Sequence, residues 1–239
     1  MRRIINLFLF LPLMLFAWIN GSIGFNINED YEFEKENYLN KEKEKRLFKK
    51  FSKYEKDIKY FSKQYDFDWR LILAVLRVES TFDDSAISEK GATGLMQLMP
   101  VTKSAIIKDL KISDDSNSTR NNIKSGIYYL SVLRNQLTKQ NISDDDILQL
   151  TLASYNGGIG RVIDAQKIAK LIHNESINYD DVKHAMPLLS KKYSSLHYQI
   201  WKTQLPPSGY FRDWKGTVRY VDEVLKYYNI YKNIYPNNI

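Results

Sequence analysis

Asp68-Trp-Arg-Leu-Ile-Leu-Ala-Val-Leu-Arg-Val-Glu-Ser80 decides how the rest of the chain is read. Asp68 is an N-cap residue type, and the residues after it carry apolar side chains at helical spacing. At about 100° per residue, Leu71, Ile72, Val75, Val78 and Phe82 fall on one face. Glu79 projects into the same stripe, whereas Arg70 and Arg77 are expected on the opposite side. An ionised carboxylate on an apolar face is costly, so it either finds a partner or rises in pKa. A raised pKa suits a general acid working near neutral pH. A helix-end glutamate that simply reaches water is the other reading of the same pattern.

Downstream, the polar turn Asp83-Asp84-Ser85 leads into Gly91-Ala-Thr-Gly-Leu-Met-Gln-Leu-Met-Pro100. Two glycines three apart let the backbone approach a neighbour closely. Gln97 brings both a donor and an acceptor to an otherwise apolar run, Met96 and Met99 are soft packing or platform residues, and Pro100 opens a helix. An acid followed by such a wall suits a groove for a sugar chain. Further on, Ala153-Ser-Tyr-Asn-Gly-Gly-Ile-Gly160 presents Tyr155 and Asn156 at a helix end, where Gly157 is expected to take the left-handed cap conformation.

Glu79-Ser80, Gly94-Leu-Met-Gln97 and Ser154-Tyr-Asn-Gly157, in this order, resemble the soluble lytic transglycosylase family, relatives of goose-type lysozyme. Gly126-Ile-Tyr-Tyr-Leu130, with an asparagine near the start of its helix, and the closing Tyr220-Val221 extend the resemblance. It covers residues 50–160 closely and 216–230 again. Two stretches depart from the family pattern. Ser154 stands where alanine is usual, and Gly216-Thr217-Val218 replaces Glu-Thr-Arg, which weakens any expectation of a salt bridge there.

The resemblance implies cleavage of the β-1,4 bond between N-acetylmuramic acid and N-acetylglucosamine in peptidoglycan, with Glu79 as single acid and base and a 1,6-anhydro product. It implies a groove lined by Ser88, Gly94, Gln97, Met99, Tyr155, Asn156 and Tyr220, with Tyr220 near Glu79. Standard glycosidases use two carboxyl groups. An internal nucleophile, the muramic C6 hydroxyl, makes the second unnecessary. Asp83, four residues after Glu79, is the rival second carboxylate if the helix continues that far. In that case a lysozyme-like hydrolase is the alternative, and a binding or assembly module without activity is a third.

The fold expected is all-α, with little or no sheet, because every organised segment has helical periodicity. Leu47, Phe51, Tyr54, Ile58, Phe61 and Tyr65 recur at steps of four and three, with lysines outward. Packing onto the next helix, a coiled-coil seam and a membrane-surface helix all fit that stripe. Helices are expected over residues 100–110, 121–137, 147–155 and 186–201, and a last one around Val221, Val224, Leu225 and Tyr228. Residues 46–239 form the expected catalytic domain, with an insert at about 164–215 of unassigned role.

Arg2 and Arg3 before the apolar run Ile4 to Ile19 read as an export signal over residues 1–22, cleaved or kept as an anchor. Residues 23–45 are charged and aperiodic, as a tether is. Export places the chain in the periplasm or cell envelope, with membrane contact only through that first segment. The chain has no cysteine, which excludes disulfides and thiolate metal sites, and His173, His184 and His197 lack ligand spacing. No metal or cofactor is expected. The net charge of +7 suits an anionic polymer such as peptidoglycan. No basic stripe interleaved with aromatics points to nucleic acid. The tether or the insert is where a cell-envelope assembly partner would dock.

Overall fold

The computed structural model describes residues 52–111, 118–138, 142–173 and 178–236, with Glu42 and Leu47 besides. The export segment and almost all of the tether lie outside the described residues. Nine α-helices are described: α1 (Glu55–Gln64), α2 (Trp69–Ser80), α3 (Pro100–Leu110), α4 (Thr119–Leu137), α5 (Asp144–Gly157), α6 (Ile159–His173), α7 (Tyr179–Ala185), α8 (Ser194–Trp201) and α9 (Trp214–Ile234). Among the described residues there is no strand, only isolated bridges pairing Thr93 with Ile87 and with Leu98. No helix among them is long and apolar enough to cross a membrane.

Helix α2 is the axis. Arg70 through Leu76 are buried without a break, so this helix is packed on every side rather than along one stripe. The longest described helix, α9, runs against it, and α1 packs on it and on α4. Packing is therefore the role of the α1 stripe, through Tyr54, Ile58 and Phe61. Pattern reading placed Arg70 on an outward face, and here the structure corrects it. Arg70 is buried, pairs with Asp68, and donates from Nη1 to the Tyr235 carbonyl oxygen at 2.9 Å. Asp68 also caps α2 by accepting from the Arg70 backbone N–H, and it accepts from the Tyr228 hydroxyl at 2.9 Å. Burial pushes the Asp68 carboxyl up, but the hydrogen bonds from Arg70 and Tyr228 hold it below the ordinary carboxylate range.

Arg134, near the end of α4, donates to the backbone oxygens of Tyr65 and Asp66 and lies 4.2 Å from the Phe67 ring centre. It thereby fixes the turn between α1 and α2, with Arg120 paired to Asp57 at the far end of the same interface. Gly126 makes the α4 crossing possible. A Cβ there would stand 2.6 Å from the Met96 side chain, closer than packed carbons tolerate.

Two helices escaped pattern reading and one was too long. Helix α6 buries Val162, Ala165, Ile168 and Ala169, a face too rich in alanine to stand out. Helix α7 is short and starts at a capping box between Asn178 and Asp181. The single helix expected over 186–201 is instead two 3-10 turns, Met186–Leu189 and Lys191–Tyr193, followed by α8. Pro187 starts the first turn, and Ser190, with extended backbone, breaks the second away. His197 is fully buried and its two ring nitrogens lie 3.0 and 2.8 Å from the backbone oxygens of Gln204 and Leu188, stapling this irregular stretch together.

Candidate active site

The end of α2 is abrupt, and that abruptness places Glu79. Thr81 and Phe82 both adopt positive φ, 52° and 63°, an uncommon conformation for bulky side chains that marks local strain. The chain turns sharply, Phe82 folds back into the core, and Glu79 is left in the last helical turn. Asp83 therefore does not continue the helix. Its Oδ1 accepts from the Ser85 N–H at 2.9 Å and from the Ser85 hydroxyl at 2.6 Å. Those hydrogen bonds hold this exposed carboxylate below its ordinary pKa.

Glu79 is in the opposite situation. Burial raises its carboxyl to about 7, against a lowering pull from the Tyr220 hydroxyl. Tyr220 is itself buried, and its hydroxyl has no partner of full hydrogen-bond geometry among the described residues. Burial pushes the phenols of Tyr220 and Tyr155 well above 10, and the charge of Glu79 pushes both further. The three groups thus share one electrostatic environment. Tyr129 joins them, its ring centre 5.6 Å from that of Tyr155.

Residues 85–99 make the wall. The Ser88 N–H donates to the Ala92 oxygen at 2.9 Å, its hydroxyl accepts from the Ala92 N–H at 3.0 Å, and Thr93 and Leu98 pair through both backbone groups. Gly94 has φ +76°, and a Cβ on it would lie 2.6 Å from the Asn122 side chain, so glycine is required twice over. Gln97, at φ +45°, donates through Nε2 to the backbone oxygens of Ala86 and Gly94. It braces the wall with its donor and keeps only Oε1 for a ligand, a narrower role than the sequence implied. Met96 is buried, whereas Met99 is exposed at the N-cap of α3. Among the described residues no hydrogen bond joins Ser88 or Met99 to the Glu79 cluster.

Asn122 ties this wall to the helices. Its Oδ1 accepts from the Met96 N–H at 2.9 Å and its Nδ2 donates to the Thr93 oxygen at 3.0 Å. The Tyr155 hydroxyl then donates to the Met96 oxygen at 2.7 Å. Sequence reading noted an asparagine near this helix start but gave it no function. Tyr129 lies within Gly126-Ile-Tyr-Tyr-Leu130, which extends the family resemblance, and sequence reading assigned it no role of its own.

Helix α5 begins at Asp144 and runs through Gly157, beyond the expected 147–155 at both ends. Gly157 is helical and Gly158, at φ +91°, is the cap. Gly157 serves close approach instead: a Cβ would lie 2.6 Å from the Phe211 ring and 2.9 Å from Thr217 Oγ1. Asn156 is exposed, and its Oδ1 accepts from the Thr217 hydroxyl at 2.8 Å. Thr217, the one residue of 216–218 that keeps the family pattern, thus supplies a contact that positions Asn156. Ser154, which departs from that pattern, is fully buried with no partner for its hydroxyl among the described residues. Ser154→Ala is expected to leave stability unchanged or raise it by about 1 kcal/mol, since it removes an unsatisfied buried group. A urea midpoint lowered by the substitution would contradict this.

With this geometry in place, the comparisons with known proteins are specific. Residues 57–177 match the Transglycosylase SLT domain. A membrane-bound lytic murein transglycosylase F of Desulfosudis oleivorans is 34% identical over 190 residues, covering 78% of this chain and 38% of that protein. One from Haemophilus influenzae is 34% identical over 168 residues, covering 70% and 31%. This chain therefore spans about a third of the length of these relatives. Among solved structures, an inactive glutamate-to-glutamine mutant of the lytic transglycosylase Slt from Pseudomonas aeruginosa superposes with TM-score 0.52 at 26% identity, covering 74% of this chain and 23% of that one. The 70 kDa soluble lytic transglycosylase of Escherichia coli gives 0.54 at 21%, covering 77% and 24%, and supports the fold. The chain belongs to the Transglycosylase SLT domain family.

Proposed function

We propose that this chain is a peptidoglycan lytic transglycosylase with Glu79 as its only acid and base. The observation that carries the reading is Glu79 itself, raised by burial to about 7 beside buried Tyr220 and half-buried Tyr155. Such a carboxyl is partly protonated at neutral pH and can both give and take a proton. In the first step Glu79 donates its proton to the bridging oxygen, the bond from that oxygen to muramic C1 breaks, and N-acetylglucosamine leaves as an alcohol. The Glu79 carboxylate then takes the proton from the muramic C6 hydroxyl while O6 bonds to C1. Glu79 ends protonated, the glycan ends in a 1,6-anhydro ring, and no water is consumed.

Asp83, the rival second carboxylate, is engaged in its own turn with Ser85, which favours this reading over hydrolysis. The relatives are named lytic murein transglycosylases, which agrees with it. Tyr155 and Asn156 would contact sugar from one side, and Gln97 Oε1 and Met99 from the other. Residues 1–22 would carry the domain to the cell envelope, where its positive charge favours the wall.

Mass spectrometry of fragments released from purified sacculi tests the proposal. Anhydro-ended muropeptides are the expected product, and reducing ends would mean that water is the nucleophile. Tyr220→Phe gives a second check. It removes the group that lowers the Glu79 pKa, so the fall in rate at high pH should move to higher pH. Superimposable pH–rate profiles would separate Tyr220 from the acid.

A further inference from the structure

Beside Asn156 a cavity of about 550 Å³ opens, within the range of ligand-binding clefts. Its charged lining is lopsided: Lys90, Arg161 and Arg212 face one carboxylate, Asp213. Asp213 is engaged as the N-cap of α9, accepting from the Gly216 N–H at 3.2 Å. Lys90 and Arg212 are exposed and make no ion pair or hydrogen bond among the described residues. Arg161 is held in place but only half satisfied. Its Nη1 donates to the Gly157 oxygen at 3.0 Å and its guanidinium sits 5.6 Å from the Phe211 ring centre, yet its Nε has no acceptor.

The far wall comes from residues 202–213, within the stretch of unassigned role. That wall is anchored rather than loose. The Ser208 N–H donates to the buried Asp164 carboxylate at 2.9 Å, and the Phe211 N–H donates to the Leu189 oxygen at 3.1 Å. Gly160 lets it press down on α6, since a Cβ there would lie 2.4 Å from the Ser208 hydroxyl oxygen. A built wall, a fixed arginine and two uncommitted cations describe a site for an anion, and guanidinium groups favour planar carboxylates.

We infer that this cavity is a subsite for the carboxylates of a peptide stem, bound by Lys90, Arg161 and Arg212 while the attached sugar lies against Asn156. The assignment of peptide stems rests on the peptidoglycan reading above. Asn156 connects the two regions, because it lines the cavity and directly follows Tyr155. Carboxylate recognition there would choose between stem-bearing and bare glycan and would fix which bond reaches Glu79.

Isothermal titration of the full chain with N-acetylmuramyl-L-alanyl-D-glutamate and with its dimethyl ester tests this without any turnover. The free acid is expected to bind at least about tenfold more tightly than the ester at low salt, as loss of one charge-assisted contact implies. The double variant Lys90→Glu, Arg212→Glu should abolish that advantage with its melting temperature and circular dichroism retained. Lys90→Arg, Arg212→Lys should keep it. Equal affinity for acid and ester in wild type, or an advantage that survives the charge reversal, would overturn the assignment. Sacculus cleavage measured in parallel judges the transglycosylase reading separately, because neither titrant contains the scissile bond.

Discussion

A Glu79→Gln chain is expected to release muropeptides at least about 10³-fold more slowly than wild type, and to be the more stable protein above neutral pH. The amide keeps the shape of the acid but cannot deliver a proton to the bridging oxygen or take one from the C6 hydroxyl. Both halves of the proposed cycle therefore stop. The stability effect follows from the same burial. The carboxyl titrates near 4.5 when unfolded and at about 7 in the native protein, so between those values the native state holds more protons than the unfolded one. Stability must then fall as pH rises through this window. Each pKa unit is worth ~1.4 kcal/mol, which makes the native state poorer by about 3 kcal/mol once the group is ionised. Glutamine escapes that penalty. Urea unfolding of both chains at pH 4.5 and pH 8 checks it: the curves should nearly coincide at the lower pH and separate at the higher. A gap of equal size at both would show that burial of the charge is not its cause.

Asn122→Ala is expected to cost about 2–4 kcal/mol, because it strands the Met96 N–H and the Thr93 oxygen without partners. For a domain of this size that lowers the melting temperature by roughly 5–15 °C. Activity should fall further than unfolding explains, since the Met96 oxygen holds the Tyr155 hydroxyl. Asn122→Asp separates the two bonds. It keeps an acceptor for Met96 but sets a carboxylate oxygen against the Thr93 carbonyl, so it too should weaken the wall. A melting temperature for Asn122→Ala within a degree of wild type would show that the wall stands without this tie.

The helix that carries Glu79, the glycine wall and the closing helix were readable because each carries its own periodicity or an unusual residue in it. Glu79 was conspicuous as a charge in an apolar stripe, and Tyr155 as an aromatic beside a glycine cap. What pattern could not show was sidedness. Arg70 looks outward on a helical wheel because the wheel knows nothing of Asp68, Tyr228 and Tyr235 arriving from elsewhere. Gln97 looks like a ligand contact because its brace partners are carbonyls, which have no sequence signature. Thr217 carries no signal of its own in the sequence, because its bond to Asn156 crosses 61 positions. Residues 186–201 misled for a simpler reason: Pro187 and Ser190 break the backbone where the apolar spacing does not change.

The clasp between α2 and α9 also has a temporal side. Arg70 and Tyr235 are 165 positions apart, and the Tyr220 hydroxyl that tunes Glu79 arrives from the same late helix. Contacts of such long sequence separation form late, after the loop between them has closed. A growing chain therefore carries Glu79 with neither its clamp nor its tuning group until residues 214–236 have been made. The proposed acid meets its tuning group only when residues 214–236 have emerged and docked, so the order of synthesis delays the finished site.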